Sequence, residues 1–554
     1  MPVYSGFLRS LLTCLFLILS TQTYAQLTEK SAAYTRADTL RGSLLPERTW
    51  WDVLHYQIDI EPDYNNKTLR GKVDLLFKVV DSGSVMQIDL QSPMNITQVM
   101  LGDQSLSFKR EGNVFYVIPE KALHVQTTYT LSILFEGKVR QAIQPPWDGG
   151  WIFSRDNLDR PWMSVACQGL GASVWYPCKD HQSDEPDQGA TINITVPDSL
   201  VAVANGKLTA TKIGRPGTKT YSWKVTNPIN NYNIVPYIGK YINFQEVYKG
   251  EKGDLECSYW VLDYNIEKAR QQFKQVPDML KAFEHWFGPY PFYRDSYKLV
   301  ESPHLGMEHQ SAIAYGNGYQ NGYRGKDLSG SGWGKKWDFI IIHESGHEWF
   351  GNNITTRDIA DMWVHEGFTN YSEVLFTEYH FGKNAGDAYV QGLRKLIKND
   401  TPIIGKYGVN EEGSGDMYFK AANMIHFIRQ LFENDEEFRN SLRLMSERFR
   451  FKTTTSAEVE QFWSSQLGID LKPLFDQYLR TTQVPTLELK RMKGKLMYRW
   501  KDCIPGFNLP VIVYINSKKE MIKPTVQWQR LQHSKGLKEF KPDVNFYVGY
   551  AEDL

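Results

Sequence analysis

The chain has 554 residues, 42% of them hydrophobic and 14% aromatic, which is more than one core needs, so two to four domains are expected. Its 63 Lys and Arg balance 63 Asp and Glu, and the zero formal charge argues against a nucleic-acid or anionic-membrane partner.

Residues 1–25 read as a signal peptide. Arg9 supplies the positive start, residues 11–19 a short apolar stretch broken by Thr13, and Thr23-Tyr24-Ala25 a cleavage site that leaves Gln26 first. An uncleaved anchor is the alternative, although the apolar run is short for a span. No later segment is apolar for long enough to cross a membrane, so export to the periplasm or the extracellular space is expected. Past the leader the cysteines are Cys167, Cys178, Cys257 and Cys503. They are too few for a disulfide scaffold and lack zinc-finger spacing, so buried free thiols are expected, with one bridge as the alternative.

A short extension, 26–46, precedes a β-rich stretch, 47–248. There Tyr56, Ile58 and Ile60 alternate, as do Val73, Leu75, Phe77 and Val79, the period of half-buried strands. Asn205-Gly206 after Val201–Val203 predicts a hairpin turn. The texture changes near Asn265, and helical patterns dominate from there to about Leu479. Residues 266–287 predict a helix interrupted or kinked around Pro277 and ended by Gly288-Pro289. Residues 316–334 hold seven glycines and predict a loop with freedom to move. Short alternating strands return over 484–554, among them Leu487 and Leu489, then Val511, Val513 and Ile515.

His343-Glu344-Ser345-Gly346-His347 is an H-E-x-x-H motif. Two histidines four apart share one helix face and can reach one ion. The run Phe339-Ile340-Ile341-Ile342 would bury that helix. Catalytic zinc takes three protein ligands and keeps one position for water. Glu366 follows His347 by nineteen residues, so a second antiparallel helix would return it to the metal. Glu373, two turns further on the same face, could orient a ligand histidine. His365 has no such support and is expected at the surface or behind the ligands. Asn353 and Asn370 begin glycosylation sequons but fall inside this constellation, which argues against their use. Glu344 cannot share the ion with its flanking histidines and is placed to take a proton from water.

These residues resemble the aminopeptidase N family of zinc metallopeptidases, the gluzincins that include leukotriene hydrolase. The resemblance extends over nearly the whole chain past the leader. Its Gly-x-Met-Glu-Asn signature appears as Leu305-Gly306-Met307-Glu308-His309, altered at both ends. A helix-start signature appears as Tyr418-Phe419-Lys420-Ala421, with alanine for glycine. Gln168, nine residues before Pro177-Cys178, matches a segment that helps to grip the substrate amine. Phe287-Gly288-Pro289-Tyr290-Pro291 and Val203-Ala204-Asn205-Gly206 match more weakly.

The resemblance implies a multidomain α+β fold: a β-saddle over 47–248, a thermolysin-like domain over 249–483 and a small β-sandwich over 484–554. It implies one zinc ion on His343, His347 and Glu366, with Glu344 as base. Tyr418 would serve as oxyanion donor, and Glu308, Gly306, Met307 and Gln168 would hold a peptide with a free N-terminus. Larger relatives add a C-terminal helical domain. The chain ends at Leu554, so that cap is expected to be absent and the cleft open to longer peptides. Competing functions are a zinc endopeptidase, an epoxide hydrolase using Glu411, Glu412 or Asp416, and a catalytically dead peptide-binding protein. The preferred side chain and the oligomeric state are not encoded in any single motif.

Overall fold

The computed structural model describes residues 33–492, 495–531 and 537–553, so the signal-peptide reading of 1–25 lies outside the described residues. The strand alternation read from the sequence is borne out. Tyr56, Ile58, Ile60, Val73, Leu75, Phe77 and Val79 are all buried, on the antiparallel pair Trp51–Asp63 and Thr68–Val79. This pair lies inside an eight-stranded sheet. Its order is Lys207–Ile213, Thr218–Val225, Ala190–Pro197, Trp51–Asp63, Thr68–Val79, Thr128–Lys138, Asn95–Leu101 and Gln104–Ser105. Only the pairing of Trp51–Asp63 with Ala190–Pro197 is parallel. A four-stranded sheet (Val201–Val203, Tyr237–Gly239, Pro161–Ala166, Gly150–Arg155) closes the same core.

Asn205-Gly206 is not a hairpin turn. Val201–Val203 and Lys207–Ile213 belong to different sheets, and the dipeptide carries the chain from one to the other. The Asn205 side chain is buried and donates to the carbonyls of Asn233 and Gln310, at 2.8 and 2.6 Å. Long-range partners, not a local turn, fix this asparagine.

A five-stranded mixed sheet follows, in the order Tyr241–Gly250, Gly253–Leu262, Tyr297–Glu301, Ile313–Tyr315 and Gly306–Met307. The helix read over 266–287 is interrupted, as two helices, Ile266–Gln272 and Gln275–Phe287. The break precedes Pro277, which sits in the first turn of the second helix, where an amide has no intrahelical acceptor to lose. Gly288 does end it, at φ 87°, with its amide on the Glu284 carbonyl at 3.0 Å.

The glycine-rich segment 316–334 is an irregular loop, closed by a short turn at Trp333–Lys335. Its hydrogen bonds restrain it. Asn317 donates to the carbonyls of Gln320 and Gly322 and to Asp338, all within 2.9 Å. Beyond the helices, two sheets form the C-terminal β region. One has the order Gln529–Arg530, Lys495–Lys501, Thr486–Met492, Gly549–Asp553, and the other Lys518–Ile522, Val511–Ile515, Phe540–Pro542. Its apolar side chains join the helical core as one cluster, with Phe546 against Phe427 at 4.6 Å between ring centroids. No helix among the described residues is long and apolar enough to cross a membrane. All four described cysteines are free thiols.

Candidate metal centre

Asp338 starts the helix Phe339–Gly346. Its side chain accepts from the amides of Ile340 and Ile341 at 3.1 and 3.4 Å, satisfying donors that every helix start leaves open. Every residue of this helix is buried, so an eight-residue segment that carries His343 and is followed by His347 at its C-cap is held by packing rather than by helix propensity. The helix Trp363–Phe381 crosses it closely. A Cβ on Gly346 would lie 2.5 Å from Ser372 Oγ, so only glycine allows that approach. Gly367 works similarly toward the helix Phe419–Arg429, where an added Cβ would meet the Ala421 Cβ at 2.7 Å. A small residue is needed at 421, and alanine suffices.

This packing brings His343, His347 and Glu366 together. Glu366 Oε2 lies 3.6 Å from His343 Nε2 and 3.4 Å from His347 Nε2. Four ligands placed tetrahedrally at 2.0–2.1 Å from zinc stand ~3.3 Å apart, so this spacing fits the ion. Glu366 Oε2 is buried with no hydrogen-bond partner, a cost of about 1–3 kcal/mol or more that a cation at the triad would remove. Burial works against charge on His343, yet Glu366 and Glu373 outweigh it and push the imidazole well above its ordinary pKa. The pocket therefore draws positive charge.

Outer groups orient the imidazoles. His343 Nδ1 meets Glu373 Oε1 at 2.7 Å, leaving Nε2 for the ion. Glu373 is itself held by Asn370 at 2.9 Å and Tyr389 at 2.6 Å. His347 Nδ1 donates to the Phe350 carbonyl at 2.9 Å. Such partners fix tautomer and ring angle. His365 is not at the surface: it is fully buried, accepts from the Thr356 amide at 2.9 Å, and burial pulls its pKa down to about 3. Asn353 and Asn370 are each 1% exposed, inaccessible to a glycan in the folded chain.

Glu344 is 8% exposed and lies beside the triad, its pKa raised to about 7 by burial. Gly306 faces it, and a Cβ there would come within 2.5 Å of Glu344 Oε1. Gly306 and Met307 pair with Tyr315 and Ala314 as a short edge strand, so the departures at Leu305 and His309 leave its path intact. Tyr418 stands just before the helix Phe419–Arg429, its ring stacked over His343 at 6.1 Å. Glu308 is buried, and burial raises its pKa. Its Oε1 accepts from Gln168 at 2.6 Å and from the Tyr232 hydroxyl at 2.9 Å. Acidic and imidazole atoms of Glu308, Glu344 and His347 lie within 4.8 Å of one another.

Sequence reasoning missed Tyr232, and also Asn352, whose side chain donates to the Glu308 carbonyl at 2.8 Å. Neither belongs to a spaced motif, and both are defined only by tertiary contact. Of the carboxylates weighed for epoxide chemistry, Asp416 caps the amides of Lys398 and Asn399, and Glu411 bonds Tyr34. Glu412 lies beside Gly169, and burial, then the charges of Glu366 and Glu308, raise its pKa to about 7.

Comparison with known proteins finds relatives within one peptidase family. Residues 53–232 match the Peptidase M1 N-terminal domain and 272–478 the Peptidase family M1 domain. Human endoplasmic reticulum aminopeptidase 1 is 23% identical over 66% of this chain, a match that takes in only 39% of the human protein. Rat aminopeptidase B is 21% identical over 77% of this chain and 68% of its own length. An M1 zinc metallopeptidase from Deinococcus radiodurans superposes with a TM-score of 0.67 at 22% identity, covering 79% of this chain and 96% of that one. A mutant of that protein bound to a Tyr-Ser-Ala substrate superposes with a TM-score of 0.66 at 21% identity, covering 80% of this chain and 97% of that one.

Proposed function

Because the chain belongs to peptidase family M1, we propose that it is a zinc-dependent aminopeptidase removing residues from the free N-terminus of peptides. The observation that carries this reading is the buried Glu308 carboxylate set within 4.8 Å of Glu344 and His347. A carboxylate that close to the hydrolytic centre suits a substrate whose ammonium lies one residue from the bond to be cut.

His343, His347 and Glu366 would hold one zinc ion, which supplies Lewis acidity, lowering the pKa of bound water toward ~7 and polarising the carbonyl. Glu344 takes the proton of the attacking water and passes it to the leaving amine, buried beside His347 where both groups come within reach. Tyr418 donates to the oxygen on which charge develops; one such donor is typically worth about 10²–10³ in rate. Gln168 and Tyr232 both donate to Oε1 of Glu308, which leaves Oε2 to receive the substrate ammonium. The ammonium in turn stabilises the ionised form that burial disfavours.

The test compares one peptide with a free and an acetylated N-terminus, reading products by mass. Stepwise loss of N-terminal residues from the free peptide alone is expected, and Glu308→Gln should abolish most of that discrimination. Internal cleavage of both peptides would replace the reading with an endopeptidase. Export through residues 1–25 belongs to the same proposal, and N-terminal sequencing of the secreted product should begin at Gln26.

A further inference from the structure

Residues 34–48 precede both family matches and contact both the β-rich half, at Asp89 and Asp180, and the segment 408–411 of the other half. Thr35 and Asp38 form a capping box that starts the helix Arg36–Gly42. Its outer end is tied by Arg36 to Glu111, at 3.0 Å for one of the two bonds. Its middle is tied to buried groups. Gln87 donates to the Leu40 carbonyl at 3.0 Å, and Arg41 pairs with Asp180 at 3.3 Å. Arg48, fully buried, bonds Asp89 at 2.7 Å and the carbonyls of Arg41 and Ser43 at 3.1 and 3.0 Å. On the other side Ser43 Oγ donates to the Gly408 carbonyl at 2.6 Å, and Tyr34 bonds Glu411. A Cβ on Gly42 would collide with the backbone of Val409 and Asn410.

The two bodies that this segment joins meet at the residue beside Gln168. Asn410 Nδ2 donates to the Gly169 carbonyl at 2.8 Å. The turn 167–171 is closed by Leu170 N on the Gln168 carbonyl, 2.8 Å, and Gly171 N on the Cys167 carbonyl, 2.7 Å. The Arg41–Asp180 pair packs so tightly on Gly171 that a Cβ there would overlap both side chains. Gln168 is therefore pinned from one side at Gly169 and from the other at Gly171, and the segment holds both pins.

We propose that residues 34–43 are a positioning strap, with Arg41, Gly42 and Ser43 setting the Gln168 turn so that Gln168 meets Glu308. The inference rests on the aminopeptidase reading of that site. The strap touches neither substrate nor metal and acts through Gln168.

Two variants load the strap differently. Gly42→Val forces it off the Asn410 backbone, and Ser43→Ala cuts its clasp on Gly408 with little risk to folding. Arg36→Ala cuts only the exposed outer tie and serves as control. For a free-amine peptide, Gly42→Val and Ser43→Ala should raise KM roughly tenfold with kcat within about twofold, because amine grip is felt equally before and at the transition state. Arg36→Ala should change neither. In a Gln168→Ala background, Gly42→Val should have no further effect. An equal KM rise in both backgrounds would overturn the proposal, since a general structural defect does not depend on Gln168. Amide exchange across 167–171, measured without substrate, should quicken in Gly42→Val and Ser43→Ala, and unchanged exchange would overturn it independently. Should the wild-type chain cleave no free peptide, the aminopeptidase reading falls and exchange alone decides whether the strap holds the turn.

Discussion

Gly306→Ala is the sharpest test of Glu344 as the proton-transfer group. Gly306 is not held at positive φ, so alanine brings no backbone strain. The new Cβ would stand 2.5 Å from Glu344 Oε1, 3.1 Å from its Cδ and 3.0 Å from Ile340 Cδ1. An ordinary carbon contact is about 3.5 Å, so the carboxylate must retreat by roughly 1 Å. Such a shift at a reacting group costs about 10² in rate. The fold should lose only about 1 kcal/mol, because what yields is the free end of a carboxylate and one methyl. His343, His347 and Glu366 are not displaced, so metal content should hold at the wild-type value. The assay is kcat/KM on a free-amine peptide beside zinc content and melting temperature, repeated in a Glu344→Gln background. The loss should vanish there, since both changes strike one event. A kcat/KM within about threefold of wild type would refute the displacement argument, and loss of zinc would show that the cause lay elsewhere.

Tyr418→Phe should lower kcat by about 10²–10³ and leave KM unchanged, because its hydroxyl is used only as charge develops; a pure KM effect would remove it from that role. Removing metal with a chelator should lower the melting temperature, and zinc should restore it. Free ion at a thousandfold over its dissociation constant is worth about 4 kcal/mol, so an unchanged melt would deny the site a tightly held ion. His426 is buried against Tyr371 and Asn545, and burial, then Arg429, pull its pKa down to about 3 from 6.5. The unfolded chain takes up the proton below pH 6.5 and the folded chain only near 3. The stabilising contribution of the neutral ring is thus complete above 6.5 and falls on acidification, by about 2 kcal/mol at pH 5. His426→Gln should flatten stability between pH 5 and 7, and an unaltered slope would refute this.

The convergence of the three candidate metal ligands was legible because their spacing is a helical periodicity. His343 and His347 are four apart, on a helix and at its C-cap, and Glu366 and Glu373 are seven apart on a single helix. The contact of Glu373 with His343 was readable for the same reason. The strands of the eight-stranded sheet were legible because one face is buried and polar residues alternate with it. What escaped notice is defined by contact across the fold. Tyr232 reaches Glu308 from 76 residues away and carries no signature of its own. Asn205-Gly206 has the chemistry of a tight turn, yet its amide serves the carbonyls of Asn233 and Gln310. The interruption around Pro277 was legible, but not that the proline sits in the first turn of the second helix. The extension 26–46 offered no periodicity, and only its contacts reveal a purpose for its described part.

Glu308 follows a strand of the mixed sheet, whereas Gln168 and Tyr232 come from the β-rich half of the chain. That division sets a rule for hybrid enzymes. A chimera that grafts a different N-terminal half onto these metal helices inherits all of the hydrolytic chemistry but none of the side chains that satisfy Glu308. On the aminopeptidase reading proposed above, it would keep the ion and lose the preference for chain ends, unless the donor half brings its own glutamine and tyrosine to the same carboxylate.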